Sequence, residues 1–364
     1  MANDRQSKVT ITEVAKLAGV STATAGRVLG EYGYTSEEIR LKVRRCAERL
    51  GYRPNQLARS LITGRTGTVG VVAGDIQSPF YASIMRGISD EARAAGFGVI
   101  LTNSDEIAER EEQAVRLLLE KRVDGLIIAP CDMENAKYLR RAIREGTQVV
   151  QIDRTVRGLK ASSITLNNRA AAKQAVSHLI AAGHRRIGIL AELEHRSKTE
   201  MRELIRDLKT GTRDVRSMFP TWPRFLGYLD AHEEAGITVD QHLIIRIGSY
   251  SMAQAQAAAH ELLSGTERPT ALFTADGLMS ASAINAVTAL RLSIPEDLSL
   301  VAFDDLDWMT FYRPGITAVT QPLKEIGRQA AKLMLERIKV GDAPPSHVEL
   351  EAVLTERGSV VRLS

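Results

Sequence analysis

Cysteine is scarce: Cys46 and Cys131 are the only two in 364 residues, and they lie too far apart in the chain to suggest a disulfide framework or a metal-ligand spacing. Each reads as a small buried apolar residue in a reducing compartment. No apolar run approaches the roughly 20 residues that span a bilayer, and the opening Met-Ala-Asn-Asp-Arg-Gln-Ser-Lys lacks the apolar core of a signal peptide. The expectation is a cytoplasmic protein without a membrane partner. Catalytic signatures are missing too: no Gly-x-Ser-x-Gly elbow, phosphate-loop lysine, His-Glu-x-x-His or Cys–His pairing occurs among the 7 histidines and 2 cysteines. The chain is therefore not read as an enzyme, and no catalytic residue, cofactor or metal ligand is assigned. His184, just after Gly183, reads as a helix-end residue. No heptad-patterned tail follows the last core-like segment, so a coiled-coil tetramer is not expected.

What is present is unevenly distributed. Residues 1–64 carry 11 Lys+Arg against 6 Asp+Glu, whereas the other 300 residues carry 37 against 38. A positive excess confined to one end is the footprint of phosphate binding, because basic side chains displace the counterions condensed on DNA. In that region Val9–Gly30 predicts two short helices joined by a tight turn, the geometry that presents one helix to the major groove. Thr10 and Glu13 form a capping box, Ile11, Val14, Ala15 and Ala18 give one apolar face, and Gly19 stops the first helix. Ser21 caps the second, whose Thr22, Ala23, Thr24 and Arg27 suit close approach to bases and phosphates. A third helix follows with a cap pair at Thr35 and Glu38, a core face of Ile39, Val43, Cys46, Ala47 and Leu50, and a stop at Gly51. The competing reading is a three-helix interaction module without a nucleic-acid role.

After a polar linker at 62–67, short β-branched runs alternate with helical segments. Strands are predicted at 68–73, 99–102, 124–129, 148–152, 163–166, 186–190, 243–247, 271–274 and 300–303, with helices between most of them. Such alternation argues for parallel sheets covered by helices, with ligands at the carboxyl ends of the strands.

Val9–Leu29 followed by Gly51-Tyr52-Arg53-Pro54-Asn55-Gln56-Leu57-Ala58-Arg59-Ser60-Leu61 resembles the headpiece and hinge of the LacI/GalR family of bacterial transcription regulators. The resemblance continues through Asp75-Ile76-Gln77-Ser78-Pro79-Phe80-Tyr81, Ile152-Asp153-Arg154, Gly183-His184-Arg185-Arg186-Ile187, Thr274-Ala275-Asp276 and Phe303-Asp304-Asp305. It implies a multidomain fold: an all-α helix-turn-helix headpiece at 1–53, a hinge helix and linker at 54–67, and a two-lobed, periplasmic-binding-protein-like α/β domain at 68–364. The implied lobes are about 68–165 with 293–322, and about 166–292 with 323–364, joined by three crossovers. The implied function is a repressor that binds a palindromic double-stranded DNA operator as a homodimer and is modulated by a small, sugar-like effector. The alternative is a corepressor-type regulator answering to a purine or other non-sugar metabolite.

For DNA, the resemblance points to Thr10, Ser21, Thr22, Ala23, Thr24, Arg27, Tyr52, Asn55, Leu57, Ala58 and Leu61. Leu61 is implied to wedge into the minor groove from a hinge helix that folds on DNA, a segment too short to be helical by itself; the alternative is plain linker packing. For the effector it points to Asp153, Arg224 and Asp276 as a polar grip and Phe80 and Tyr81 as an aromatic platform. Asp75, Arg154, Leu166, Tyr250 and Gln321 are carried by matching position. For any one of these, helix capping, core packing or an interlobe ion pair is the alternative role. The chain departs from the family pattern at Ala25, Gly26 and Gly30, where Val, Ser and Asn are usual, and at Ser78 and Ala275, where Asn is usual. A mid-helix glycine costs up to about 1 kcal/mol; Gly26 either softens the second helix until DNA orders it or permits a closer approach. About twenty extra residues also lie around 192–218. This charged, helix-prone stretch is read either as lidding or bordering the effector site or as an exposed decoration.

Overall fold

The computed structural model describes residues 9–30, 32–52, 64–194, 196–248, 250–341 and 343–363. Contacts divide the chain into two units, one of residues 1–68 with 120–124 and one of the remainder.

In the first unit, helices α1 (Ile11–Ala18), α2 (Thr22–Gly30) and α3 (Glu37–Leu50) enclose a small core of Val14, Ala15, Ala18, Ala25, Val28, Val43 and Ala47. Gly19 and Gly51 end α1 and α3 at φ +62° and +64°, the left-handed region that glycine enters without steric penalty. The cap of α3 is Ser36 rather than the expected Thr35: Ser36 is extended (φ −63°, ψ 152°), and its hydroxyl accepts from the Ile39 N–H at 3.5 Å. Asn55, Leu57, Ala58 and Leu61 lie outside the described residues.

The second unit holds two six-stranded sheets. The first contains β1 (Thr68–Ala73), β2 (Gly98–Asn103), β3 (Gly125–Ile128), β4 (Gln148–Ile152), β5 (Ser162–Leu166) and β11 (His347–Leu350), in the order β11-β5-β4-β3-β1-β2. The second contains β6 (Ile187–Glu192), β7 (Ile244–Ile247), β8 (Ala271–Thr274), β9 (Ser299–Phe303), β10 (Thr317–Thr320) and β12 (Val353–Thr355), in the order β12-β10-β9-β8-β6-β7. Neighbours from β11 to β1 and from β7 to β10 run parallel; β12 is antiparallel to β10. The central strands are buried throughout, as strands covered on both faces must be.

The expectation that 293–322 complete the first lobe and 323–364 the second is overturned. Strands β9 and β10 pair within the second sheet, whereas α13 (Leu323–Val340) packs on β3, β4 and β5, and β11 pairs with β5. From Val353 onward the chain returns to the second lobe as expected: β12 pairs with β10, the Leu300 N–H donates to the Ser359 carbonyl at 2.9 Å, and the Leu363 N–H donates to the Ala182 carbonyl at 2.8 Å. The chain thus crosses between sheets after β5, after β10 and again between Leu350 and Val353. Helix α13 lies against α4 (Pro79–Ala94) at a crossing with almost no side-chain spacer: a Cβ on Gly87 would meet the Lys324 carbonyl, and one on Gly327 would meet the Ile84 carbonyl.

The inserted stretch forms α8 (Lys198–Lys209), which is not an exposed decoration and does not itself line the cleft; the stretch borders the cleft at Glu192, with Phe219 just after it. Leu204 and Leu208 are buried in the core, and the Lys209 ammonium bonds Glu233 on the neighbouring α9 (Thr221–Glu234). The chain after it straps the two lobes together. Arg213 donates to Glu134 at 2.8 Å, and the Arg216 carbonyl accepts from the Thr155 N–H at 3.0 Å.

Candidate functional site

Two sites emerge, one in each unit. In the headpiece, the Thr10 amide and hydroxyl both donate to one Glu13 oxygen, at 2.7 and 2.9 Å, and these bonds hold that carboxyl below its usual range. Ser21 Oγ accepts from the Thr24 N–H at 3.1 Å and so starts α2. Ala25 and Val28 turn into the core, which leaves Thr22, Ala23 and Arg27 exposed on the far side of the helix. The Arg27 guanidinium leans on Thr24 Oγ1 at 3.4 Å. Tyr52 is half-buried against the headpiece core, its N–H bonded to the Ala47 carbonyl at 2.8 Å.

In the second unit a cavity of about 570 Å³ lies between the lobes at the carboxyl ends of the strands. Asp75, Phe80 and Tyr81 reach it from after β1 and the start of α4, Asp153 and Arg154 from after β4, Arg224 from α9, Tyr250 from after β7, and Asp276 from after β8. Leu166, at the end of β5, instead lines a second cavity of about 410 Å³ beside the inserted strap. Gln321 does not line the cleft either; its amide donates to Asp304, which does. Glu106, Glu192, Phe219 and Asp304 line the cleft without having been picked out as site residues in the sequence.

The polar lining is strongly one-sided. Asp75, Asp105, Glu106, Asp153, Glu192, Asp276 and Asp304 face only Arg154 and Arg224, and both arginines are already engaged. Arg154 is buried, bonded to Glu106 and stacked 4.6 Å from the Phe219 ring centroid; Tyr81 Oη donates to the same Glu106 at 2.9 Å. Arg224, from α9, reaches across to the base of α7 (Asn168–Ala181). Its Nε donates to Asn168 Oδ1 at 2.8 Å and its Nη1 to the Ala275 carbonyl at 2.7 Å, and the guanidinium lies 3.8 Å from the Phe303 ring centroid. Asp276 caps α11 (Gly277–Ala289) through the Met279 N–H at 2.9 Å. Burial pushes Asp153 and Asp276 up to about 6 and Glu192 up to about 7. Four of these acids, Asp105, Glu106, Asp153 and Asp304, sit at φ between +50° and +73°, a region that non-glycine residues occupy at some cost and that concentrates at ligand sites. Behind the cleft, Cys131 is not an apolar filler. Its N–H donates to buried Glu111 at 2.7 Å, its Sγ lies 3.2 Å from Ser104 Oγ, and Tyr138 bonds the same Glu111.

Comparison with known proteins assigns both units. Residues 10–55 match the model of bacterial regulatory proteins, lacI family. Residues 66–212 match periplasmic binding proteins and the sugar binding domain of the LacI family, and 176–360 a periplasmic binding protein-like domain. Catabolite control protein A of Priestia megaterium is 32% identical over 344 residues, covering 94% of this chain and 96% of that one. The HTH-type transcriptional repressor PurR of Vibrio atlanticus is 29% identical, covering 98% and 99%. The solved complex of the transcriptional regulator CelR with cellobiose is 27% identical with a TM-score of 0.68, covering 96% and 99%. Among the described residues no helix is long and apolar enough to cross a membrane. The chain belongs to the lacI family of bacterial regulatory proteins.

Proposed function

We propose that this regulator represses transcription as a homodimer on a palindromic operator, and that a neutral, hydroxyl-rich, sugar-like effector in the interlobe cleft releases it. The observation that carries the effector class is the lining: seven acidic side chains against two guanidinium groups, of which Arg154 is bridged to Glu106 and Arg224 is hydrogen-bonded to Asn168 and the Ala275 carbonyl. Carboxylates accept hydrogen bonds from vicinal hydroxyls, and the aromatic residues Phe80, Tyr81, Phe219 and Tyr250 in the same lining suit a sugar's C–H surface. An anionic sugar phosphate would meet an excess of acidic side chains, with Arg154 already bridged to Glu106 and only one nitrogen of Arg224 left to pair it. The complex of CelR with cellobiose supports the same class, while the PurR relatives keep a purine among the outcomes of the test.

Effector and operator favour different lobe arrangements, so each weakens the other by one reciprocal coupling energy, typically ~1–3 kcal/mol. The test is a thermal-shift and operator-anisotropy panel of free sugars, sugar alcohols, sugar phosphates and purines. A free sugar should raise the melting temperature, by about 2.7 kcal/mol of stabilisation at a hundredfold excess over Kd, and lower operator affinity. A purine that stabilises the protein and tightens operator binding would replace this reading with corepression. The hinge belongs to the same proposal: Leu61→Ala should lose at least tenfold in operator affinity while folding and effector binding stay intact. Operator affinity within a factor of two of the parent would refute the minor-groove wedge.

A further inference from the structure

Helix α2 carries two glycines, Gly26 and Gly30, where helix-weakening residues are otherwise unexpected. What occupies the space they leave is Tyr32. A Cβ on Gly30 would sit 2.5 Å from Tyr32 Cε1 and 2.6 Å from Cδ1, and one on Gly26 would sit 3.3 Å from Tyr32 Oη. The ring therefore lies lengthwise along the helix, with its hydroxyl over Gly26. The Tyr32 N–H donates to the Arg27 carbonyl at 3.1 Å, which folds the chain back onto α2, and the Arg27 stem passes over Gly33.

The placement of that hydroxyl is informative. At 100° per residue, Gly26 and Gly30 share a strip with Ala23 and Arg27, opposite the buried Ala25 and Val28. Tyr32 Oη thus sits on the outward face of the DNA-reading helix, a short step from Arg27. The ring is half-buried and held, yet the hydroxyl has no hydrogen-bond partner among the described residues. Tyr34, two residues on, is 91% exposed and lacks such a seat.

We infer that Tyr32 is a DNA-contacting residue whose hydroxyl donates to a backbone phosphate oxygen beside Arg27. The two glycines are the space this contact requires, so Gly26, Gly30 and Tyr32 work as one unit. A phenol fixed by ring packing delivers a phosphate contact from a rigid position and carries no sequence information of its own.

The test uses the full-length protein and a duplex that the parent protein enriches from a randomised pool. Tyr32→Phe keeps the ring and removes only the hydroxyl, so it should bind that duplex 5- to 20-fold more weakly with an unchanged melting temperature. Gly26→Ser in the Tyr32→Phe background restores a hydroxyl at the vacated point and should recover most of the loss. Single methylphosphonate substitutions along the duplex should reveal one phosphate per half-site whose neutralisation makes the parent and Tyr32→Phe bind alike. Tyr32→Phe binding within twofold of the parent would overturn the contact. So would a methylphosphonate scan in which no position removes the difference, whatever the stability of the variant.

Discussion

Gly87→Ala lowers the stability of the effector domain by about 1–3 kcal/mol, although alanine is the better helix former. Propensity favours the substitution by up to about 1 kcal/mol in a helix interior, and Gly87 lies in the middle of α4. Packing reverses the sign. The new methyl would strike the Lys324 carbonyl and lie 2.9 Å from the Arg328 amide nitrogen, both backbone atoms of α13. A side chain can rotate away from such a contact; a helix backbone cannot. The pair must separate, and overpacking typically costs 1–3 kcal/mol before the reciprocal fit at Gly327 is lost as well. Gly265→Ala is the control, since the nearest atom to a Cβ there is 3.8 Å away and its φ is −68°; it should stay within about 0.5 kcal/mol of the parent. Urea unfolding of the two variants gives the comparison, and a Gly87→Ala midpoint equal to that of the parent would show that α4 and α13 can part without penalty.

That crossing also shows where sequence reading runs out. The glycines of α4 and α13 are 240 residues apart, and nothing in either helical pattern says that they meet. The same holds for the lobes. Short apolar runs such as β9 and β10 mark strands, but a run of this kind can hydrogen-bond into either sheet, and only the register with β8 decides. The third crossover, between Leu350 and Val353, leaves no periodic trace at all. The headpiece was more legible because its signals are local. The Thr10–Glu13 capping box, the left-handed glycine stops and the i, i+4 apolar faces are all written within four or five residues of where they act, although the same kind of signal misplaced the α3 cap by one residue, at Thr35 instead of Ser36. The cleft falls between these cases. Asp153 and Asp276 are legible from motifs at strand ends and Arg224 from the resemblance; the Phe303-Asp304-Asp305 motif holds Asp304 without marking it as a site residue, and Glu106 depends on a left-handed turn that places its side chain. Phe219 comes from the strap after the inserted helix, a segment with no counterpart in the motif pattern.

Arg224 is where the cleft should be most sensitive. Its guanidinium is nearly buried, yet two of its nitrogens already serve the protein, one holding Asn168 at the start of α7 and one the Ala275 carbonyl at the end of β8. The planar group stacks on Phe303, which fixes its plane and leaves Nη2 for a ligand in the cavity that Arg224 lines. Lysine keeps the charge but can neither fork between two acceptors nor stack flat. Arg224→Lys should therefore lose at least a hundredfold in affinity for the sugar identified by the panel, a change of about 2.7 kcal/mol. Operator affinity in the absence of effector should stay close to the parent value, because the headpiece is a separate unit. The variant would then remain on the operator at sugar concentrations that release the parent. The stability cost is distinct and measurable by itself, since an unpaired Asn168 or Ala275 acceptor costs about 1–3 kcal/mol when buried. If Arg224→Lys melts lower but binds the sugar within twofold of the parent, Arg224 is a brace between α7 and β8, and the anchor must lie among the carboxylates opposite it.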